Sequence, residues 1–131
     1  MRVVLQRSKQ ASVSVNKKIV GEISNGLVIL VGFTKGDTKE EIDYLANKII
    51  NLRIFDDDNS IMNKSLLDIN GEILSISQFT LYADTKSGRR PSYIKALNGN
   101  EAIKLYDEFN KCLKEKGIKV ATGIFGSDMQ V

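Results

Sequence analysis

The 131-residue sequence contains no histidine and no tryptophan, one cysteine (Cys112) and one proline (Pro91). Without histidine there is no Ser-His-Asp or Cys-His triad. The usual zinc sites, built on histidine or several cysteines, are excluded too. A lone cysteine permits no internal disulfide, in keeping with a reducing compartment. Long apolar runs are also missing. The longest, Leu27 to Phe33, is far too short to span a bilayer. The opening Met1-Arg2-Val3-Val4-Leu5-Gln6-Arg7 turns polar too early for the core of a signal peptide. These features predict a cytoplasmic protein with no membrane partner and no cofactor. Any catalysis must proceed without an imidazole base.

The hydrophobic share of 42% and charged share of 27% are those of a folded soluble domain. The length suits one core. Net charge is +3, too mild to imply nucleic acid by itself, and no DNA partner is expected. Its distribution says more. From Thr85 to Lys95 lie Lys86, Arg89, Arg90 and Lys95, with no acidic residue among them.

Period-two alternation over Arg2 to Val15 predicts half-buried strands, with Val3, Leu5 and Arg7 on one face. Asn16-Lys17-Lys18 reads as a turn into a strand over Ile19 to Ile23. Asn25-Gly26 reads as a hairpin turn. Leu27 to Phe33, apolar on both faces, predicts a central strand covered on both sides. Thr38-Lys39-Glu40-Glu41 fits a capping box opening a helix from Lys39 to about Asn51. Ile42, Leu45, Ile49 and Leu52 form its apolar stripe. Ile54-Phe55 suits a short edge strand. A long strand is expected over Gly71 to Tyr82, with Ser77 and Phe79 on one face and Gln78 and Thr80 on the other. Asn98 caps a second helix bearing Ala102, Tyr106, Phe109 and Leu113, and Gly117 ends it. Ile118 to Thr122 is a strand. Another starts at Asp128 to Val131, so the sequence reads as stopping within the domain. The expected class is α+β: one domain, a mixed, mostly antiparallel, barrel-like sheet with two helices on one face.

Gln78 and Thr80 share a strand face with Leu74 and Ile76. Polar side chains there require partners and often line a pocket. An ordinary strand edge accounts for the same pattern. Thr80 has no neighbouring base, so a positioning role suits it better than nucleophilic attack. The Lys86 to Pro91 loop is either a phosphate-binding element, with Tyr82 and Tyr93 available for stacking, or a solvated loop. Asp56-Asp57-Asp58-Asn59 lacks calcium-loop spacing and fits a solvated turn, so no metal is expected. Gly32 to Gly36 lacks phosphate-loop spacing. Cys112 fits a helix boundary.

The segment Ser77-Gln78-Phe79-Thr80-Leu81-Tyr82-Ala83-Asp84 with Lys86-Ser87-Gly88-Arg89-Arg90-Pro91-Ser92-Tyr93 resembles the signature of D-aminoacyl-tRNA deacylases. The opening Met1 to Arg7 and the stretch Thr122 to Met129 resemble that family too, in order and spacing. The resemblance implies a homodimer that hydrolyses the ester between a D-amino acid and the terminal adenosine of tRNA, glycyl-mischarged tRNA included. It implies a pocket floor of Ser77, Gln78, Phe79 and Thr80. Backbone N–H groups near Gln78 and Phe79 would stabilise the oxyanion, and the tRNA 2′-hydroxyl would assist. Phe125, Gly126 and Met129 would contact substrate, and Lys86, Arg89 and Arg90 would contact tRNA. It further implies a Gly-Pro motif that enters the partner's pocket, excludes L-amino acids and is braced by Arg7. The only proline here, Pro91, follows Arg90, so the domain is expected to span 1–131 without that segment. The competing class is a non-catalytic tRNA- or RNA-binding module.

Overall fold

The computed structural model describes residues 1–131. Its centre is the strand made by the longest apolar run. This strand, β4 (Gly26–Gly32), pairs antiparallel with β1 (Arg2–Ser8), from Arg2 opposite Gly32 to Ser8 opposite Gly26. On its other side it pairs parallel with β7 (Glu72–Ser77), from Gly26 opposite Glu72 to Val31 opposite Ser77. A short β8 (Val120–Thr122) adds parallel to β7. The sheet order is β1-β4-β7-β8.

Both faces of β4 are covered, as its unbroken apolar sequence requires. Leu27, Ile29 and Val31 join Ile73 against the helices α1 (Lys39–Asn51) and α2 (Gly99–Glu115). Leu74 and Ile76, with half-buried Val28 and Leu30, pack against Val13 and Ile23. Those two belong to a hairpin of β2 (Ala11–Val15) and β3 (Lys18–Ile23), turned at Asn16-Lys17, both with positive φ. The layers are therefore helices, sheet, hairpin.

Both helices follow their local sequence. Thr38 and Glu41 form the reciprocal capping box, which satisfies two amides that the first turn leaves free. Ile42, Ala46, Ile49 and Ile50 face the core. In α2, the Asn98 side chain accepts from the Glu101 amide, and Ala102, Tyr106, Phe109 and Leu113 are buried. Gly117, at φ +88°, closes the helix by donating to Lys114 O while the Ile118 amide donates to Leu113 O. That left-handed step suits glycine because it has no Cβ to clash.

Four expectations need correction. The sheet does not close into a barrel: β1 and β8 are open edges, and two further antiparallel pairs stand apart as two-stranded units. The antiparallel majority also fails in the main sheet, where β4-β7 and β7-β8 are parallel. Asn25-Gly26 does not turn a hairpin, because β3 pairs with β2 and β4 pairs with β1 and β7. Gly26 instead lets the chain pass between layers. Its φ is +147°, and a Cβ there would lie 1.9 Å from Glu72 O. Finally, the strand expected to reach Tyr82 stops at Ser77, and Phe79–Tyr82 is a 3-10 helical turn.

The remaining elements are small. β5 (Phe55–Asp56) pairs with β6 (Met62–Lys64) across a turn in which the Asp57 carboxylate accepts from the amides of Asn59 and Ile61. Beyond β8, the Gln130 and Ser14 backbones bond reciprocally, which folds the last residues back over the hairpin. No helix is long and apolar enough to cross a membrane.

Candidate active site

The parallel pair β4-β7 ends in a cleft, because both strands stop there and their exits diverge. At Ser77 the register with β4 is exhausted. The Gln78 amide still donates to Val31 O, at 2.7 Å, and the Leu81 amide then donates to Gln78 O, turning the chain into the 3-10 segment. Gly32 makes room for this turn. A Cβ at that position would sit 2.8 Å from Gln78 O and 3.2 Å from the Leu81 Cβ. Phe33 departs the other way, its carbonyl accepting from the Leu97 amide.

The cleft has a volume of about 270 Å³. Its floor is Ser77, Gln78 and Phe79, and Phe125, Gly126 and Met129 form one wall. Six of the residues picked out in the sequence thus converge, although they lie on segments about fifty residues apart. Met129 reaches the floor because residue 123 is glycine: a Cβ on Gly123 would meet Met129 Sδ at 2.3 Å. Leu97, Ala102 and Phe33 also line the cleft and were not picked out. The apolar Gly32-Phe33 step leaving the central strand was the only available signal, and nothing local ties it to Leu97.

The 3-10 turn changes the roles available to the floor. The Gln78 N–H, expected as an oxyanion donor, is consumed by Val31 O. A helical turn opening after Gln78 leaves its first amides, those of Phe79 and Thr80, without intrahelical acceptors. Thr80 does not line the cleft. Its hydroxyl accepts a hydrogen bond from the Gln78 side-chain amide, so the two polar groups satisfy one another while half-buried. Asp128 is the only ionisable side chain lining the cleft. No lysine or tyrosine in it offers a base. Beneath the floor, the Tyr106 hydroxyl donates to Ser75 O at 2.8 Å, and its ring packs on Phe125 with centroids 5.8 Å apart. Burial pushes the Tyr106 phenol above its ordinary pKa, which keeps it a neutral donor.

The basic residues Lys86, Arg89 and Arg90 are exposed on a loop that leaves the end of the 3-10 turn. Asp84 and Ser92 close its base with two reciprocal backbone bonds of 2.8 Å. The returning segment lays Tyr93 edge-on against Phe79. Tyr82 is not free to stack: it is buried, with the Arg2 guanidinium over its ring at 4.4 Å. Arg7 sits apart from all of these. It pairs with Leu27, five residues along β1 from the cleft end at Arg2, or about 17 Å by strand rise. It donates to Ile54 O at 3.1 Å and faces the Asp56 carboxylate at 3.4 Å. Cys112 is half-buried, its thiol donating to the Asp43 carboxylate, and burial raises its pKa. No three Cys, Asp or Glu side chains converge as a metal cage would require.

Comparison with known proteins identifies the family of the fold. Residues 4–131 match the family model described as D-Tyr-tRNA(Tyr) deacylase. A D-aminoacyl-tRNA deacylase of Thermosipho africanus is 59% identical over all 131 residues, which cover 88% of that relative. One from Bacillus velezensis is 54% identical over the whole chain and 89% of its own length. Among solved structures, one titled c-Myc DNA Unwinding Element Binding Protein superposes with a TM-score of 0.92 at 34% identity, covering 99% of this chain and 89% of that one. A probable eukaryotic D-amino acid tRNA deacylase shares the fold, with a TM-score of 0.82 at 19% identity over 98% of this chain and 91% of that one. With its whole length matched and its floor and wall residues gathered in one cleft, the chain belongs to the D-aminoacyl-tRNA deacylase family.

Proposed function

We propose that the protein hydrolyses the ester linking a D-amino acid, or mischarged glycine, to the terminal adenosine of tRNA, releasing the free amino acid and the tRNA. The observation that carries the chemistry is the 3-10 turn at Phe79–Tyr82. It leaves the Phe79 amide free at the floor of an apolar cleft that holds no basic side chain, with the Thr80 amide free on the residue after it. Acyl transfer needs donors aimed at the developing oxyanion, and each is worth roughly 3 to 4 kcal/mol. In this reading the Phe79 and Thr80 amides hold the oxyanion. Gln78 and Thr80 fix the turn through their mutual hydrogen bond. Ser77, Phe125, Gly126 and Met129 enclose the aminoacyl group. With no histidine, lysine or tyrosine in the cleft, the attacking water is oriented by the substrate's own ribose 2′-hydroxyl.

Lys86, Arg89 and Arg90 contact tRNA phosphates. The exposed apolar side chains Val4, Ile19 and Val20 support a homodimer, in which a Gly-Pro segment joined to this domain would pass near Arg7, enter the partner's cleft and reject L-amino acids. Charged tRNA as substrate puts the work in the cytoplasm. The test is amino-acid release from D-tyrosyl-, glycyl- and L-tyrosyl-tRNA by the purified protein, beside a version extended by a Gly-Pro-Thr segment. Release of D-tyrosine and glycine but not L-tyrosine by the extended version is expected. D-tyrosyl-tRNA left intact by both versions would sink the proposal.

A further inference from the structure

At the cleft mouth three large apolar side chains stand in solvent: Phe79 is 57% exposed, Tyr93 40% and Ile94 87%. They are nonetheless held in place. Tyr93 and Ile94 lie on a short arch pinned at both ends. The Asp84-Ser92 pair fixes one end, and a backbone bridge between Thr34 and Ala96 fixes the other, reinforced by the Thr34 hydroxyl donating to Lys95 O. The Ala96 amide donates to Tyr93 O at 3.0 Å, closing the arch. The Phe79 and Tyr93 rings meet edge to face, centroids 5.2 Å apart and planes at 69°. Phe79 lines the cleft, so the pair runs from the cleft outward. Next to it stands the stretch Thr85 to Lys95, with four cations and no anion.

We propose that the Phe79-Tyr93 pair is a stacking platform for the unpaired nucleotides that precede the terminal adenosine of the acceptor strand. This inference rests on the deacylase reading and adds to it where the strand leaves the site. Exposed, preorganised aromatic faces beside a cationic loop are how proteins hold single-stranded nucleic acid without reading its sequence. Every acceptor end presents the same bases, so such a platform serves all tRNAs alike. Charge complementarity favours RNA over an apolar protein partner, which would leave the four cations unpaired. Continuity with the cleft sets the polarity: the reacting end lies inside, and the preceding nucleotides cross Tyr93 with their phosphates toward Lys86, Arg89 and Arg90.

The experiment compares Tyr93→Ala, Tyr93→Phe and wild type on D-tyrosyl-tRNA and on D-tyrosyl-adenosine, which lacks the preceding nucleotides. For Tyr93→Ala, KM on the tRNA should rise about tenfold, the scale of one lost base stack. KM on the adenosine ester should not move, and Tyr93→Phe should match wild type on both. An unchanged KM on tRNA, or an equal loss on the two substrates, overturns the platform. If wild type hydrolyses neither ester, it is the deacylase reading that fails. The platform is then decided by fluorescence anisotropy with an uncharged hairpin RNA ending in CCA, whose binding Tyr93→Ala should weaken about tenfold; equal binding overturns it.

Discussion

Replacing Gly32 with alanine adds one methyl group under the catalytic floor. Gly32 adopts no left-handed φ, so backbone strain contributes nothing and the effect is one of space. The new Cβ would lie 2.8 Å from Gln78 O and 3.2 Å from the Leu81 Cβ. Unstrained contacts of this kind need about 3.4 Å, so the two backbones must part by about half an ångström. β4 cannot supply the movement, being hydrogen-bonded on both sides. The 3-10 turn must move instead, carrying the Phe79 and Thr80 amides with it. Overpacking of this size costs about 1 to 3 kcal/mol of stability. Misplacing reacting groups by a full ångström can cost about a hundredfold in rate, so half that displacement predicts about a tenfold loss. Single-turnover hydrolysis of D-tyrosyl-tRNA, with the urea midpoint measured alongside, separates the two effects. The loss should fall on kcat, because the walls that bind the aminoacyl group stay in place. A Gly32→Ala enzyme with wild-type kcat would refute the assignment of the oxyanion donors to this turn.

Three further outcomes follow from the same structure. The Glu72 carboxylate accepts from the Ser24 hydroxyl, the Ser24 amide and the Lys119 ammonium, which together hold its pKa near 2 against an ordinary 4.5. The folded state therefore binds fewer protons than the unfolded one between those values, so the stabilisation is complete above about pH 4.5 and drains as pH falls toward 2. At face value that is about 3 kcal/mol, but Lys119 is 77% exposed, and screening leaves about 1 to 2 kcal/mol. Urea titrations should find Glu72→Gln that much less stable at pH 7, with the gap narrowing by pH 3; a gap that holds constant with pH would contradict the linkage. Gly26→Ala, whose Cβ would lie 1.9 Å from Glu72 O at φ +147°, should lose about 4 kcal/mol or more, seen as a collapsed thermal midpoint. Arg89→Ala with Arg90→Ala should weaken tRNA binding and flatten its salt dependence by about two phosphate contacts, while the midpoint of unfolding stays put; an unchanged salt slope would place the tRNA elsewhere.

What the sequence revealed depended on how local the cause was. Thr38-Glu41 and Asn98-Gly117 bound their helices correctly because caps act within one turn of their own residues. The central strand was legible in Leu27 to Phe33 because burial on both faces leaves no polar alternation. Asn25-Gly26 misled because a turn-forming dipeptide reports where a chain bends, not which strands it joins, and β3 is claimed by β2. Ser77 to Tyr82 misled for a related reason. Its alternation continues the pattern of β7, but β4 ends at Gly32 and offers nothing further to pair with, so the chain coils. Gln78 stood out as a polar residue in the apolar pattern, and the other floor and wall residues were found through family resemblance. Leu97 and Phe33 had no comparable flag, since their meeting is a long-range backbone contact.

The placement of β8 and the residues after it bears on when the cleft is completed. The cleft draws on positions from Val31 to Val131, and β8 pairs only with β7, in parallel. During synthesis β1, β4 and α1 emerge early and can associate, yet β7 keeps an open edge and the cleft lacks its Phe125 wall until residues 120–129 arrive. Parallel pairing across such distances is entropically slow. A chain that ends before β8 lacks the Phe125 and Met129 wall of the cleft. An enclosed cleft therefore waits on a late-made segment that is far in sequence from the strands forming its floor.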